Sequence, residues 1–277
     1  MYKMMLQPAR GASRAGLILA LLVLTGCATG PNANPRDPLE PFNRGVYQFN
    51  DAIDGAVVKP IATAYQQVLP KPVQLGVRNF FNNMQDLWSG VNNALQFKGV
   101  QSSNSFARFG VNSFIGLGGI LDVASELQIE RHTKDFGHTL GYWGVAPGPY
   151  LVLPLMGPST LRDTLAMPVD AQGNLVSGIE HVPTRNSLTV LRLIDKRASL
   201  LGASAMLEEA ALDKYTFTRD AHLQRRRSSI YDGNPPDDGE AQRSPVKQDF
   251  SEARDRTRAW VKTIKDTGNA GDEKAKP

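Results

Sequence analysis

Cysteine is almost absent: Cys27 is the single one among 277 residues. No disulfide can close within the chain, and no cysteine-based zinc set is available. Histidine is also scarce, with only His132, His138, His181 and His222. None stands in an HExxH pair. His132-x-Lys134 opens like an HxKxxxxD phospholipase motif, but Thr139 occupies the aspartate position. Gly157-Pro158-Ser159 lacks the second glycine of a nucleophile elbow. Gly116-Leu117-Gly118-Gly119 lacks the third glycine of GxGxxG and follows no strand, which excludes a dinucleotide loop. His132, Asp135 and His138 could approach one metal, yet their spacing matches no standard zinc pattern, and a solvated loop is the simpler account. These residues supply no catalytic set and no metal set, so the chain is read as a non-enzyme.

Long membrane-spanning runs are missing too. Residues 136–161 carry no acid, Lys or Arg, but Gly137, Gly141, Gly144, Gly148 and Gly157 alternate with Pro147, Pro149, Pro154 and Pro158. Each internal proline removes a donor and each glycine loosens a helix. Irregular backbone cannot face lipid, so this block is either packed in protein or lines a polar path. A strong excess of basic charge is lacking as well. Residues 1–26 contribute Lys3, Arg10 and Arg14 and no acid, so the formal charge of +4 falls to +1 without them. Nothing in that balance calls for nucleic acid.

What is present begins with targeting. Residues 1–26 read as a signal peptide: a basic start, then an apolar stretch at 15–24 that is too short to span a bilayer. It ends in Leu24-Thr25-Gly26-Cys27, which resembles the lipobox of bacterial lipoproteins. That resemblance implies N-acyl and S-diacylglycerol chains on Cys27 and no other cofactor. Ala28, in place of an inner-membrane-retaining aspartate, implies the outer membrane. Residues 27–36 form a lipidated tether. Residues 232–277 are rich in charge, proline and glycine and read as a mostly disordered tail on the periplasmic side, with one possible helix at 248–266.

The body, residues 37–231, is mainly helical. Asp37-Pro38-Leu39-Glu40 suggests a capped start with a capping box. Phe42, Val46, Phe49 and Ile53 then follow a 3.6 period, with Asn43 and Asn50 on other faces, until Lys59-Pro60 breaks the pattern. A short helix ends at Pro70 and Pro72. Val73, Val77, Phe80 and Met84 mark the next, and Leu87, Val91 and Leu95 another or its bent continuation. The amides among them, Asn82, Asn83, Gln85, Asn92 and Asn93, suggest polar contacts. Residues 106–124 are apolar on most faces and cut by glycine, as expected of a helix followed by a glycine turn or of one lying in a membrane interface. Ser159 or Thr160 can cap a helix ended by Pro168, and a loop follows to Pro183. Thr184 can cap a long helix carrying Leu188, Leu191, Ala198, Leu201 and Ala205, and residues 213–230 form the last helix. Tyr150 opens the one convincing strand, at 150–153.

Several separated blocks, in order, resemble the MlaA (VacJ) family of Gram-negative lipoproteins. They are Asp37-Pro38-Leu39-Glu40 with Phe42-Asn43-Arg44; Arg108-Phe109, Asn112, Gly116, Gly118-Gly119 and Asp122; Phe136-Gly137, Thr139-Leu140-Gly141, Gly144, Gly148-Pro149-Tyr150 and Arg162-Asp163; and Tyr215, Phe217, Arg219 with Leu223-Gln224-Arg225-Arg226. Lys214 and His222 depart from the family's usual Pro and Tyr. The resemblance implies a single domain of amphipathic and interfacial helices with few or no strands, forming a membrane-embedded disc or ring around an amphipathic channel. It implies removal of mislocalised phospholipid from the outer leaflet of the outer membrane, which maintains lipid asymmetry. The implied partners are phospholipid, trimeric porins, the periplasmic lipid carrier MlaC and, indirectly, an inner-membrane ABC transporter complex. Phe42, Asn43, Gly116, Gly118, Gly119, Gly137, Thr139, Gly141, Tyr142, Gly144, Gly148 and Tyr150 are the candidate channel or structural motif residues. The competing expectation is a non-conducting envelope lipoprotein that scaffolds porins or other envelope complexes.

Overall fold

The computed structural model describes residue 34 and residues 36–236. Cys27 and the possible helix at 248–266 lie outside the described residues. Helix α1 (Glu40–Ile53) starts after Leu39 with no side-chain cap. The expected capping box is therefore absent. Asp37 is buried and its carboxylate is drawn inward instead, accepting from Asn43 Nδ2 at 2.8 Å and from Tyr215 Oη. A π-helical turn (Asp54–Val58) then leads directly into α2 (Lys59–Val68). The expected break at Lys59-Pro60 is not there. The π turn bonds Lys59 N–H to the carbonyl of Asp54, and Pro60, in the first turn of α2, has no N–H to place.

Pro70 does end a helix, but Pro72 begins one: α3 (Lys71–Leu95) is a single helix of 25 residues. Its buried face consists of Gly76, Phe81, Asn83, Asp86, Ser89, Gly90, Asn92 and Asn93, so the amides do make the polar contacts that the sequence suggests. Helix α4 (Gly99–Phe114) packs back along it. The close approach is set at Gly90, where an added Cβ would stand 2.8 Å from the Phe106 ring, and Ser102 Oγ donates to the Gly90 carbonyl at 2.9 Å. A glycine turn follows. At Gly116 a Cβ would overlap the Leu121 carbonyl, and Gly118 and Gly119 take φ of +73° and +93°.

Helix α5 (Val123–Glu126) is one turn, capped by Asp122. Helix α6 (Phe136–Tyr142) opens on a capping box between Asp135 and His138. Strand β1 (Tyr150–Leu153) matches the sequence expectation and pairs antiparallel with β2 (Gly157–Thr160), Tyr150 opposite Thr160 and Leu153 opposite Gly157. Thr160 caps α7 (Leu161–Gly173), which runs through Pro168 rather than stopping there. Tertiary bonds hold its last turn: Asp170 Oδ1 accepts from Trp88 Nε1 at 2.7 Å and from Phe136 N at 2.8 Å. Gly173 packs flat against the Trp88 indole. Helix α8 (Val182–Ser199) is capped by His181, not Thr184, and breaks at Leu200 before α9 (Leu201–Ala210). Helix α10 (Lys214–Ile230) is capped by Asp213, which accepts from the Tyr215 and Thr216 amides.

The protein is mainly helical, with one two-stranded hairpin among the described residues. Its apolar core is small: Tyr150, Val152 and Tyr215, with Val46, Tyr47 and Leu223 against them. Tyr215 meets Tyr47 and Tyr150 edge-to-face at 5.7 and 6.3 Å between ring centroids.

Candidate functional site

Among the described residues, buried polar side chains outnumber buried apolar ones, while large apolar side chains cover the outside. Phe114 is 91% exposed and Phe97 84%, whereas Asn43 is fully buried and Arg108 is 1% exposed. This inverts the usual order of a water-soluble protein, in which Arg, Asp and Asn are mostly exposed. Each buried polar group must then be bonded, and the interior is organised by four clusters that do this.

The first joins α1 to β1. Asn43 donates to the Tyr150 carbonyl at 3.0 Å and accepts from Val152 N at 2.9 Å. One heptad on, Asn50 does the same with the Leu153 carbonyl at 2.9 Å and Leu155 N at 2.8 Å. The two amides act as a substitute strand along the free edge of β1. Asp37, also bonded to Arg219 Nη1 at 3.3 Å, closes this cluster from α10.

The second lies between α3 and α6. Thr139 Oγ1 donates to Asn92 Oδ1 at 2.8 Å and accepts from Gln96 Nε2 at 3.1 Å. Asn93 donates to the Ser89 carbonyl at 2.9 Å and the His132 carbonyl at 3.1 Å. The third crosses from α3 to α4 and α5. Arg108 Nη2 meets Asp122 at 2.6 Å and Arg108 Nε meets Asp86 at 3.3 Å, with Arg131 3.2 Å from Asp86. Burial pushes the Asp86 carboxyl up to about 6, against the pull of Arg131 and Arg108.

The fourth ties α10 to α6 and α7. Arg226 meets Asp135 at 2.6 Å and Asp163 at 2.8 Å. Burial works against the Asp135 charge, but bonds from His138 and Arg226 outweigh it and hold its carboxyl well below the usual range. Burial likewise holds the His138 imidazole below its ordinary value.

The sequence-derived site residues therefore divide among separate places. Asn43 and Tyr150 share the first cluster. Thr139 belongs to the second, and Gly137 packs against Arg226 and Asp163 of the fourth. Gly141 packs against Arg162 and Ile230, so an aspartate introduced there would test packing. Tyr142 is buried, with Lys98 Nζ 4.7 Å from its ring centroid. Gly116 and Gly119 shape the turn after α4, with Gly119 against Asn83. Gly118, Gly144 and Gly148 hold positive φ, and Phe42 is on the exterior. Asp86, Asp163 and Arg226 were not singled out as a site. Their signal is tertiary: each is met by a partner distant in the chain, Asp86 by Arg108, and Asp135 and Asp163 by Arg226. Among the described residues no group of three or more His, Cys, Asp or Glu is placed to hold a metal, and no helix is long and apolar enough to cross a membrane. His132 bonds instead towards Asn104 and Glu130.

Fold and interior together define a class: a helical protein that is polar and ion-paired within and apolar without. The chain belongs to the MlaA lipoprotein family, whose model matches residues 35–229. It is 37% identical over 217 residues to the intermembrane phospholipid transport system lipoprotein MlaA of Shigella flexneri, covering 76% of this chain and 86% of that one. The protein of the same name from Haemophilus influenzae is 32% identical over 229 residues, covering 78% of this chain and 89% of that one. A solved chain from work on the "structural basis for maintenance of bacterial outer membrane lipid asymmetry" superposes with a TM-score of 0.63 at 33% identity, covering 72% of this chain and 99% of that one.

Proposed function

We propose that this protein is an outer-membrane lipoprotein, acylated at Cys27, that takes mislocalised phospholipid from the outer leaflet and passes it through a polar interior to a periplasmic carrier. The carrier is of the MlaC type, an inner-membrane ABC transporter complex stands further along, and trimeric porins are neighbours in the membrane. The reading is of a conduit without chemical turnover: the lipid enters and leaves intact.

One observation carries it. A protein with apolar residues outside, bonded polar groups inside and no helix suited to crossing a bilayer among the described residues is matched to immersion in one leaflet. Its exterior replaces acyl chains, and its interior offers what a zwitterionic or anionic head group needs to leave water at tolerable cost. Irregular backbone such as residues 143–149, with positive φ at Gly144 and Gly148, is permitted at that depth only against protein or a polar path. Acyl chains on Cys27 would add about 0.8 kcal/mol per buried methylene.

The test is phospholipid in the outer leaflet of cells lacking the gene, restored with wild type or with Cys27→Ala. Accumulation in the null that only wild type reverses is the expected result. Unchanged outer-leaflet lipid in a null without a redundant system would sink the transport reading and favour a scaffold that holds porins or envelope complexes.

A further inference from the structure

Buried polar groups need partners, and at the end of α3 two of them find none in the protein. Asn93 and Gln96 are each 0% exposed. Among the described residues no donor reaches Asn93 Oδ1 or Gln96 Oε1. A buried acceptor without a donor has given up its bond to water for nothing, and native interiors rarely leave one so.

The neighbours fix which way each amide points. Asn93 Nδ2 lies 2.9 Å from the Ser89 carbonyl and 3.1 Å from the His132 carbonyl. Carbonyls only accept, so the amide nitrogen faces them and the oxygen faces elsewhere. Gln96 is fixed through two other residues. Asn92 Nδ2 donates to the Trp88 carbonyl at 3.0 Å, so Asn92 Oδ1 is the acceptor that stands 2.8 Å from Thr139 Oγ1. The one Thr139 proton is used there. Thr139 Oγ1 then accepts from Gln96 at 3.1 Å, which makes that donor Nε2 and turns Oε1 away. Turning either amide over would set oxygen against oxygen.

The two oxygens belong to one place. Residues three apart are neighbours on a helix face, and the Gln96 N–H still bonds to the Asn92 carbonyl at 3.1 Å, so the turn carries past Leu95. The side chains beside Asn93 are small: Ser89 is buried, and Ser105 Oγ lies 3.5 Å from Asn93 Nδ2. The ammonium groups on this side are engaged elsewhere. Lys134, whose N–H donates to Ser89 Oγ at 3.2 Å, has its Nζ on Asp232 at 2.7 Å and on the Ser229 carbonyl. Lys98, two residues after Gln96, has its Nζ on the same aspartate. Neither lysine supplies the missing donor. With two lysines sharing one carboxylate, the local charge does not favour a metal cation either.

We propose that Asn93 Oδ1 and Gln96 Oε1 bind one internal water molecule, which donates a hydrogen bond to each. The numbers match: water has two protons, and the site has two acceptors that lack one. Acceptors sharing a water stand about 4.5 Å apart, a spacing that side chains one helical turn apart can meet. A buried water keeps about two to four polar partners, and these two oxygens supply that need. The water joins the two halves of the cluster between α3 and α6. Asn93 reaches Ser89 and the chain at His132, Gln96 reaches Thr139, and the shared water couples them. The site stands independently of the transport reading.

The test is a crystal structure of the detergent-solubilised protein at a resolution that shows ordered water. A density peak about 2.7–3.2 Å from both oxygens is the expected result. No peak there, or either oxygen found on a protein donor, overturns the site. An anomalous peak at the same position after a rubidium soak would reassign it to a monovalent cation and overturn the water. In solution, deuterium magnetic relaxation dispersion counts long-lived internal waters. Gln96→Met, similar in length and without the acceptor, should lose one of them. Equal counts in wild type and the folded variant overturn the bridge. If Gln96→Met does not fold, the density in wild type decides alone.

Discussion

At the scale of single residues, the interior asks each charge to be met by another. Arg226 lies between the buried carboxylate of Asp163 and the partly exposed one of Asp135 and so holds α10 to the starts of α6 and α7. Arg226→Met removes one cation and strands two anions, and we expect about 3–5 kcal/mol of lost stability, read from urea unfolding in detergent. A loss under about 1 kcal/mol would rank the cluster with solvent-exposed ion pairs and contradict its burial. Asp135 and Asp86 set the pH response, with opposite signs. Asp135 is depressed in the folded state, so its stabilisation is present above the unfolded carboxyl value and drains away as pH falls through the lower folded one. Asp86 is raised to about 6, so the folded protein binds the extra proton between its ordinary value of 3.8 and about 6. Stability from that group therefore falls as pH rises through this window. Asp86→Asn should flatten the slope there while leaving the acid limb below it, measured by unfolding at fixed denaturant across the pH series. An unchanged slope in the variant would show that Asp86 is not its source.

At the scale of elements, the turn after α4 separates two reasons for glycine. At Gly116 a side chain has no room, because its Cβ would run into the Leu121 and Asn112 backbone. At Gly118 there is open space, but φ is +73°. Gly118→Ala should cost about 1–2 kcal/mol, the price of a left-handed backbone, while Gly116→Ala should cost clearly more, because only backbone movement relieves it. Gly45, in α1 with nothing near its Cβ position, should instead gain about 0.5–1 kcal/mol on becoming Ala. Thermal melts of the three in one detergent check the order, and a Gly116→Ala melt no lower than that of Gly118→Ala would refute it. Local signals of this kind were legible in the sequence: the strand at Tyr150, the glycine turn and the amide-rich face of α3. Signals that depend on tertiary bonds were not. Pro168 reads as a stop, yet Trp88 and Phe136 bond to Asp170 and keep the helix going to Gly173. Asp37 reads as a cap, yet Asn43 and Tyr215 claim its carboxylate.

At the scale of the whole molecule, periodicity has no sign. The stripe of Phe42, Val46, Phe49 and Ile53 fixes α1 as a helix but does not say which face turns inward, and in the folded chain it is Asn43 that goes inside. Amides at 3.6 spacing opposite an apolar stripe would read the same in a protein with an aqueous surface. Only the sum over helices shows the inversion, because many apolar faces then find no partner. That surplus makes a prediction independent of the lipid anchor. The chain starting at Ala28, made without acylation and mixed with phosphatidylethanolamine–phosphatidylglycerol vesicles, should float with them on a density gradient. Phe114, Ile115 and Leu117 are all exposed around the turn after α4 and form one apolar tip. At about 1.5–3 kcal/mol for each large side chain moved out of water, Phe114→Asp with Leu117→Asp should reduce vesicle partition at least about a hundredfold. The fold should survive, since neither side chain packs inside. If the unacylated chain stays with the aqueous fractions while folded, the apolar exterior is not a lipid-facing surface, and covering it must fall to another protein. If it floats and the double variant floats equally well, the membrane contact lies on other exposed apolar faces than this turn.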